Sequence, residues 1–170
     1  MQMSEIKTIR PEELGDNAFQ LIGSDWMLVT AGNIQSFNMM TASWGGLGVL
    51  WNKNVSFIFI RPCRYTYQFI EKTDTYTLSF FDGAYKRVLN FCGTKSGRDC
   101  DKVKETGVSP AQTANGAIYF QEARLVIECR KIYYQDLEPE HFLDADILKN
   151  YPEKDFHRMY VGEILSCFHP

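Results

Sequence analysis

Residues 36–66 read SFNMMTASWGGLGVLWNKNVSFIFIRPCRYT, a pattern of two strands joined by a tight glycine loop. Asn38–Trp44 sets two small polar side chains, Thr41 and Ser43, beside the aromatic Trp44. Gly45, Gly46 and Gly48 then supply backbone that turns sharply or lets a ligand approach closely. After the turn Asn52-Lys53-Asn54, Val55–Ile60 is an apolar strand that delivers Arg61 at its end. Pro62 stops that strand before Arg64, Tyr65 and Thr66 open a helical pattern. Arg61 and Arg64 therefore converge on one helix start, where unpaired N–H groups and a partial positive charge add to the arginine forks. The corner is expected to seat an anion, and a cofactor phosphate is the anion expected.

Working outward, Trp26–Ala31 is the first convincing strand, and Phe37–Trp44 follows closely enough to pair with it as an antiparallel neighbour. Upstream, Pro11–Phe19 suits a short helix with Pro in its first turn. Tyr65, Thr66, Phe69 and Ile70 stand at helical spacing, so a short amphipathic helix is expected to Lys72. Thr75–Phe81 alternates, with Tyr76, Leu78 and Phe80 on one side and Thr75, Thr77 and Ser79 on the other, the pattern of a half-buried strand. Ala84–Phe91 reads as a helix that Gly93 ends. The loop Gly93–Asp99, GTKSGRD, packs two glycines, two hydroxyls and two cations into seven residues. That composition suits either a phosphate-wrapping nest or a solvated connector.

Asp101–Thr106 is a further helical turn capped by Gly107, and Val108–Gly116 is a small-residue loop. Ile118–Tyr134 is a strand pair or one bent strand, because the alternation Leu125, Ile127, Cys129 shifts phase to Ile132 and Tyr134 as if by a bulge. Glu138–Lys149 is acidic and weakly helical, and Met159–Phe168 is the last strand. Consecutive strands with helical insertions favour a mainly β fold, an antiparallel barrel with helical excursions, in one domain spanning residues 1–170.

At 170 residues the chain can bury about 70% of its unfolded surface without disulfide or metal staples. A net charge of −3 gives no broad attraction toward nucleic acid or anionic membrane, so any anion site must be local. Met1–Leu14 is polar, and no apolar run approaches the roughly 20 residues of a membrane helix. A soluble cytoplasmic protein is expected. Cys63, Cys92, Cys100, Cys129 and Cys167 are odd in number and widely spread, which suits reduced thiols, and His141, His157 and His169 are too scattered for a metal site. The loop at Gly93 lacks the upstream glycine of a P-loop, and Gly45, Gly46 and Gly48 have the wrong spacing for a Rossmann fingerprint.

Four motifs in order, NMMTASW at 38–44, RPCRYT at 61–66, GTKSGRD at 93–99 and HRMYVGEI at 157–164, resemble the flavin reductase-like, FMN-binding split-barrel family, in particular its flavoredoxin-like branch. The match runs from about Trp26 to the C-terminus. The resemblance implies a split β-barrel homodimer holding FMN near the subunit interface. By that resemblance Asn38, Met40, Thr41, Ala42, Ser43 and Trp44 lie along the flavin ring and ribityl chain. Arg61, Arg64, Tyr65 and Thr66 belong to the phosphate side, Lys95, Ser96 and Gly97 to a loop closing over the flavin, and His157 to the nicotinamide face. One departure is Ser79-Phe80-Phe81, where broader flavin reductases often carry a Val-Asn pair.

Hydride moves directly from nicotinamide to flavin in such enzymes, so positioning is the protein's task. Arg61 or Lys95 is the candidate cation beside the reduced ring, and Trp44 either packs on a flavin or nicotinamide face or is an ordinary buried tryptophan. Three functional readings stay open: an NADH- or NADPH-dependent flavin reductase, an FMN electron carrier reduced by another protein, and a non-enzymatic β-barrel binding module. Tyr65, Tyr67, Tyr119 and Tyr133 could serve the last by stacking on bases, against which the acidic charge argues. A downstream redox protein is a possible partner of the first two.

Overall fold

The computed structural model describes residues 6–170. The reading of Met1–Leu14 as free of an apolar targeting segment falls partly on residues 1–5, outside the described residues. No helix among the described residues is long and apolar enough to cross a membrane.

An antiparallel sheet of eight strands dominates the chain. Its main path runs β3 (Ser36–Ala42), β2 (Met27–Asn33), β6 (Thr75–Phe80), β9 (Leu125–Asp136), β10 (Arg158–His169), β5 (Lys53–Ile60), β4 (Gly45–Leu50), with β1 (Lys7–Ile9) added beside β10. The two ends of that path, β3 and β4, are consecutive in sequence and joined only through Ser43 and Trp44. The sheet therefore curls until its edges approach, and the split between them opens where the motif of residues 38–44 ends.

The β2–β3 and β4–β5 hairpins follow from local chemistry. At Ile34-Gln35 the Asn33 side chain accepts from the backbone N–H of Gln35 (3.1 Å) and Ser36 (3.0 Å), an Asx turn. Between β4 and β5, Trp51 and Asn52 both take positive φ (53° and 58°), the backbone of a two-residue type I′ turn. This corrects two expectations. The turn is Trp51-Asn52 rather than Asn52–Asn54, and Gly45–Leu50 is a strand, not a loop, because pairing with β5 along its whole length satisfies its backbone.

The barrel interior is filled by Met27, Val29, Ile58, Ile60, Ile70, Tyr76, Leu78, Phe80, Leu125, Ile127 and Tyr160. A second cluster, including Leu28, Met39, Leu89, Cys92, Phe120 and Val126, lies on the opposite face of the sheet. There helix α3 (Lys86–Thr94) and the small hairpin β7 (Pro110–Gln112) with β8 (Ile118–Phe120) cover it. That cover overturns the half-buried reading of Thr75–Phe81. Thr77 and Ser79 are fully buried, and the Thr77 hydroxyl donates to the Ile118 carbonyl at 2.5 Å.

Three further expectations need correction. Pro11–Phe19 is not one helix: a single tight turn at Pro11–Glu13 is followed by the short helix α1 (Ala18–Gln20), which the Asn17 side chain caps by accepting from the backbone N–H groups of Phe19 and Gln20. Helix α3 runs through Gly93 to Thr94, and Gly93 is small there because a Cβ would come within 3.3 Å of Thr41 on β3. Ile118–Tyr134 is neither a hairpin nor one bent strand, since β8 pairs with β7 and β9 runs between β6 and β10. The bulge is present: Val161 pairs with Tyr133 and Gly162 with Lys131, leaving Ile132 without an opposite residue.

Candidate functional site

The end of β3 and the end of β5 form the two walls of a cleft of about 400 Å³ at the barrel split. Met40, Thr41, Ala42, Ser43 and Trp44 line one wall, and Phe59, Arg61, Cys63 and Arg64 the other, with Asp155 and His157 closing the far end. Trp44 is 48% exposed, so it is a rim residue and not a buried tryptophan. The Thr41 hydroxyl donates to the Leu89 carbonyl of α3 at 2.5 Å, which fixes the floor.

Met40, Cys63 and Arg64 also border a narrower neck of about 210 Å³, which runs from the cleft to the N-terminus of helix α2 (Tyr65–Lys72). Asn38, Tyr65, Thr66, Lys95, Ser96 and Gly97 line this neck with Arg98 and Lys102. Four cations, Arg64, Lys95, Arg98 and Lys102, thus face a space with no carboxylate in its lining. Preorganised cations beside a helix N-terminus make an anion seat.

Close packing shapes the neck. A Cβ on Gly97 would lie 2.0 Å from Asn38 Oδ1 and 3.1 Å from the Tyr65 ring, so only glycine lets the loop press against β3. The Asn38 amide donates in turn to Thr66 Oγ1 at 2.7 Å, a buried bond that ties β3 to the first turn of α2. Arg98 lies over the Tyr65 ring at 4.8 Å and donates to the Cys63 carbonyl at 3.2 Å. Arg64 donates from one Nη to the Gly93 carbonyl at 2.9 Å.

Lys102, absent from the sequence-derived set, is buried in helix α4 (Lys102–Thr106), where its Nζ donates to the carbonyls of Met39 and Cys92, each at 2.9 Å. Burial pushes its pKa down. Sequence alone does not separate it from surface lysines, because both acceptors come from other elements.

Arg61 is placed differently from the convergence the sequence suggested. It lines the cleft, but its Nη1 holds both oxygens of Asp155 (3.0 and 3.1 Å), its Nη2 donates to the Asn150 carbonyl (2.8 Å), and its guanidinium stacks 4.9 Å from the Tyr151 ring centroid. Burial alone would raise the Asp155 pKa, but the bonds from Arg61 and Cys63 and the Arg61 charge pull it below its ordinary value. For the Cys63 thiol, burial and Asp155 push the pKa up.

His157 is 8% exposed, and its Nδ1 lies 2.7 Å from the Tyr151 hydroxyl. Its ring sits 5.3 Å from Trp44 and 6.5 Å, edge-on, from Phe59. Burial and the charges of Arg61 and Arg64 lower its pKa to about 4, Asp155 opposing. The imidazole is neutral across the physiological range. Of the four tyrosines offered for base stacking, Tyr119 is buried in edge contact with Phe168, 5.0 Å between centroids.

A family model described as the flavin reductase like domain matches residues 19–170. Similar solved structures include the flavoredoxin of Desulfovibrio vulgaris (Miyazaki F), with TM-score 0.67 and 22% identity, covering 95% of this chain and 77% of that one. The FMN-binding protein of Thermus thermophilus gives TM-score 0.68 and 17% identity over 96% of this chain and 82% of that one. For the NADH:FAD oxidoreductase of Streptomyces globisporus C-1027 the values are 0.66 and 15% over 86% and 75%. No curated protein matches.

Proposed function

Because the chain belongs to the flavin reductase-like domain family, we propose that it is an FMN-binding oxidoreductase taking hydride from NADH or NADPH and passing electrons to a downstream acceptor. The neck carries this reading: four cations and no carboxylate line it in a chain whose net charge is −3. That donor set fits a phosphate monoester. The adjoining cleft, walled by β3 and rimmed by Trp44, fits the ring system of the same molecule.

In this reading Arg64, Lys95, Ser96 and Arg98 hold the phosphate, Lys102 adds charge from beneath, and Asn38, Thr66 and Gly97 set the width of the neck. Residues Met40–Trp44 orient the ring. When bound, the flavin supplies the hydride- and electron-accepting chemistry. His157, neutral and at the far end of the cleft, serves the nicotinamide side. Arg61, with its guanidinium bonded to Asp155 and the Asn150 carbonyl, keeps the cleft wall in place.

We place the chain as one domain over residues 1–170 that works as a homodimer in the cytoplasm. The edge strand β4 supports the dimer by presenting Val49, 71% exposed, with Trp51 of the adjoining turn 55% exposed. The five free cysteines suit a reducing compartment. The likeness to a flavoredoxin favours a second reading, an FMN carrier without NAD(P)H activity of its own. Steady-state oxidation of NADH and NADPH, with and without added free flavin, separates the two. Turnover by the FMN-loaded chain supports the reductase, and none with either nucleotide leaves the carrier.

A further inference from the structure

The walls of the cleft contain a relay that the proposed chemistry does not by itself require. Arg61 grips the segment between β9 and β10 at Asn150, Tyr151 and Asp155, and Tyr151 in turn bonds His157. Tyr151 is buried, and its hydroxyl has no partner among the described residues other than His157 Nδ1, 2.7 Å away. If Nδ1 carried the proton and donated it, the buried phenolic O–H would have no acceptor, a loss of about 1–3 kcal/mol. The phenolic proton finds an acceptor only when it is donated to Nδ1, which makes Nε2 the N–H of the neutral ring.

That Nε2 has no hydrogen-bond partner among the described residues, yet it is not among the fully buried unpaired atoms, which are Thr30 Oγ1 and Ser79 Oγ. It therefore opens into the cleft whose end His157 closes. Trp44 and Phe59 pack against the ring. The groups facing it are Tyr151, Arg61, Arg64 and Asp155, and their sum with burial keeps it uncharged.

We propose that Tyr151 is a positioning residue which, itself held by Arg61, locks His157 in the Nε2–H tautomer as a neutral donor for a carbonyl oxygen of the cleft ligand, the carboxamide of the nicotinamide nucleotide. The inference rests on the reductase reading for the identity of that carbonyl, whereas the tautomer follows from the contacts alone. A neutral donor suits a carboxamide because it orients the amide plane without adding charge beside the transferring hydride. An imidazolium would add charge there, and an unprotonated Nε2 would repel the carbonyl oxygen.

The test is nitrogen-15 NMR of histidine-labelled, FMN-loaded protein, with the His157 signals assigned by their loss in His157→Gln. The expected spectrum shows the Nε2–H tautomer at neutral pH, and NAD⁺ or NADP⁺ moves the Nε2–H proton downfield. Tyr151→Phe keeps the aromatic ring that packs against Phe142, Phe156 and Arg61, so it stays folded. It is expected to mix the tautomers and to lower kcat/KM for the nucleotide about tenfold, the loss of one oriented hydrogen bond, with FMN affinity unchanged. A wild-type Nδ1–H tautomer, or a Tyr151→Phe spectrum identical to wild type, overturns the locking. A pure Nε2–H signal that neither nucleotide moves overturns the donor role. Absence of turnover with the tautomer and its nucleotide-induced shift intact contradicts the reductase reading instead.

Discussion

Removing the Arg64 guanidinium tests where the phosphate sits. In Arg64→Ala the neck loses a cation at the N-terminal boundary of α2, and the Gly93 carbonyl loses a donor 2.9 Å away. The lost carbonyl bond lowers stability by about 1 kcal/mol whatever the ligand, so it cancels when two ligands are compared on the same variant. FMN and riboflavin differ only in the phosphate. A charge-assisted hydrogen bond of about 1.5–3 kcal/mol predicts that FMN weakens about 10- to 150-fold while riboflavin changes little. Flavin-fluorescence titrations of both ligands on both proteins measure this directly. The FMN-specific share should also shrink in high salt, because the seat opens to solvent and its field is screened. Equal weakening of the two flavins, or no weakening of either, refutes the assignment of Arg64 to the phosphate.

Other perturbations probe the same account. Lys95→Ala with Ser96→Ala should speed FMN release about tenfold while leaving the fold within about 1 kcal/mol of wild type, and an unchanged off-rate in stopped-flow displacement would remove the loop from the site. Since the folded His157 pKa is about 4 against 6.5 for the free group, the unfolded chain binds that proton first as the pH falls. Stability is thus intact above pH 6.5 and declines from 6.5 toward 4 by up to about 3 kcal/mol, a slope that urea melts should find reduced in His157→Gln. Light scattering at micromolar concentration should return a dimer burying on the order of 2,000 Å² or more, and a 19.6 kDa monomer with FMN fully bound would contradict it.

Much of this architecture was legible because it rests on local periodicity. Strands β2, β3, β5 and β6 and helix α2 stand close to their expected bounds, and the phase shift at Ile132 correctly signalled a bulge. Features fixed by distant partners were not legible. Gly45–Leu50 has a loop composition, and only the facing β5 makes it a strand. Thr77 and Ser79 look solvent-facing until the β7–β8 hairpin is laid over them. Three residues of β1 carry no pattern at all.

In the site, the sequence motifs placed Asn38, Met40–Trp44, Arg64 and residues 95–97 around adjoining spaces, since each motif lies on a single element end. It could not show that Arg61 is engaged by Asp155 from the far side of the chain, nor that Tyr151 backs His157. Lys102 was missed for the same reason. The carbonyls of Met39 and Cys92 that make its burial tolerable belong to β3 and α3.

The most direct test is a calorimetric titration of the flavin-free protein with FMN, followed in parallel by the visible flavin spectrum. The account predicts one FMN per chain, a perturbed flavin absorption on binding, and weaker binding of riboflavin. Protein that remains folded yet takes up no FMN, or binds riboflavin as tightly as FMN, would contradict the cleft and its cationic neck as a flavin mononucleotide site.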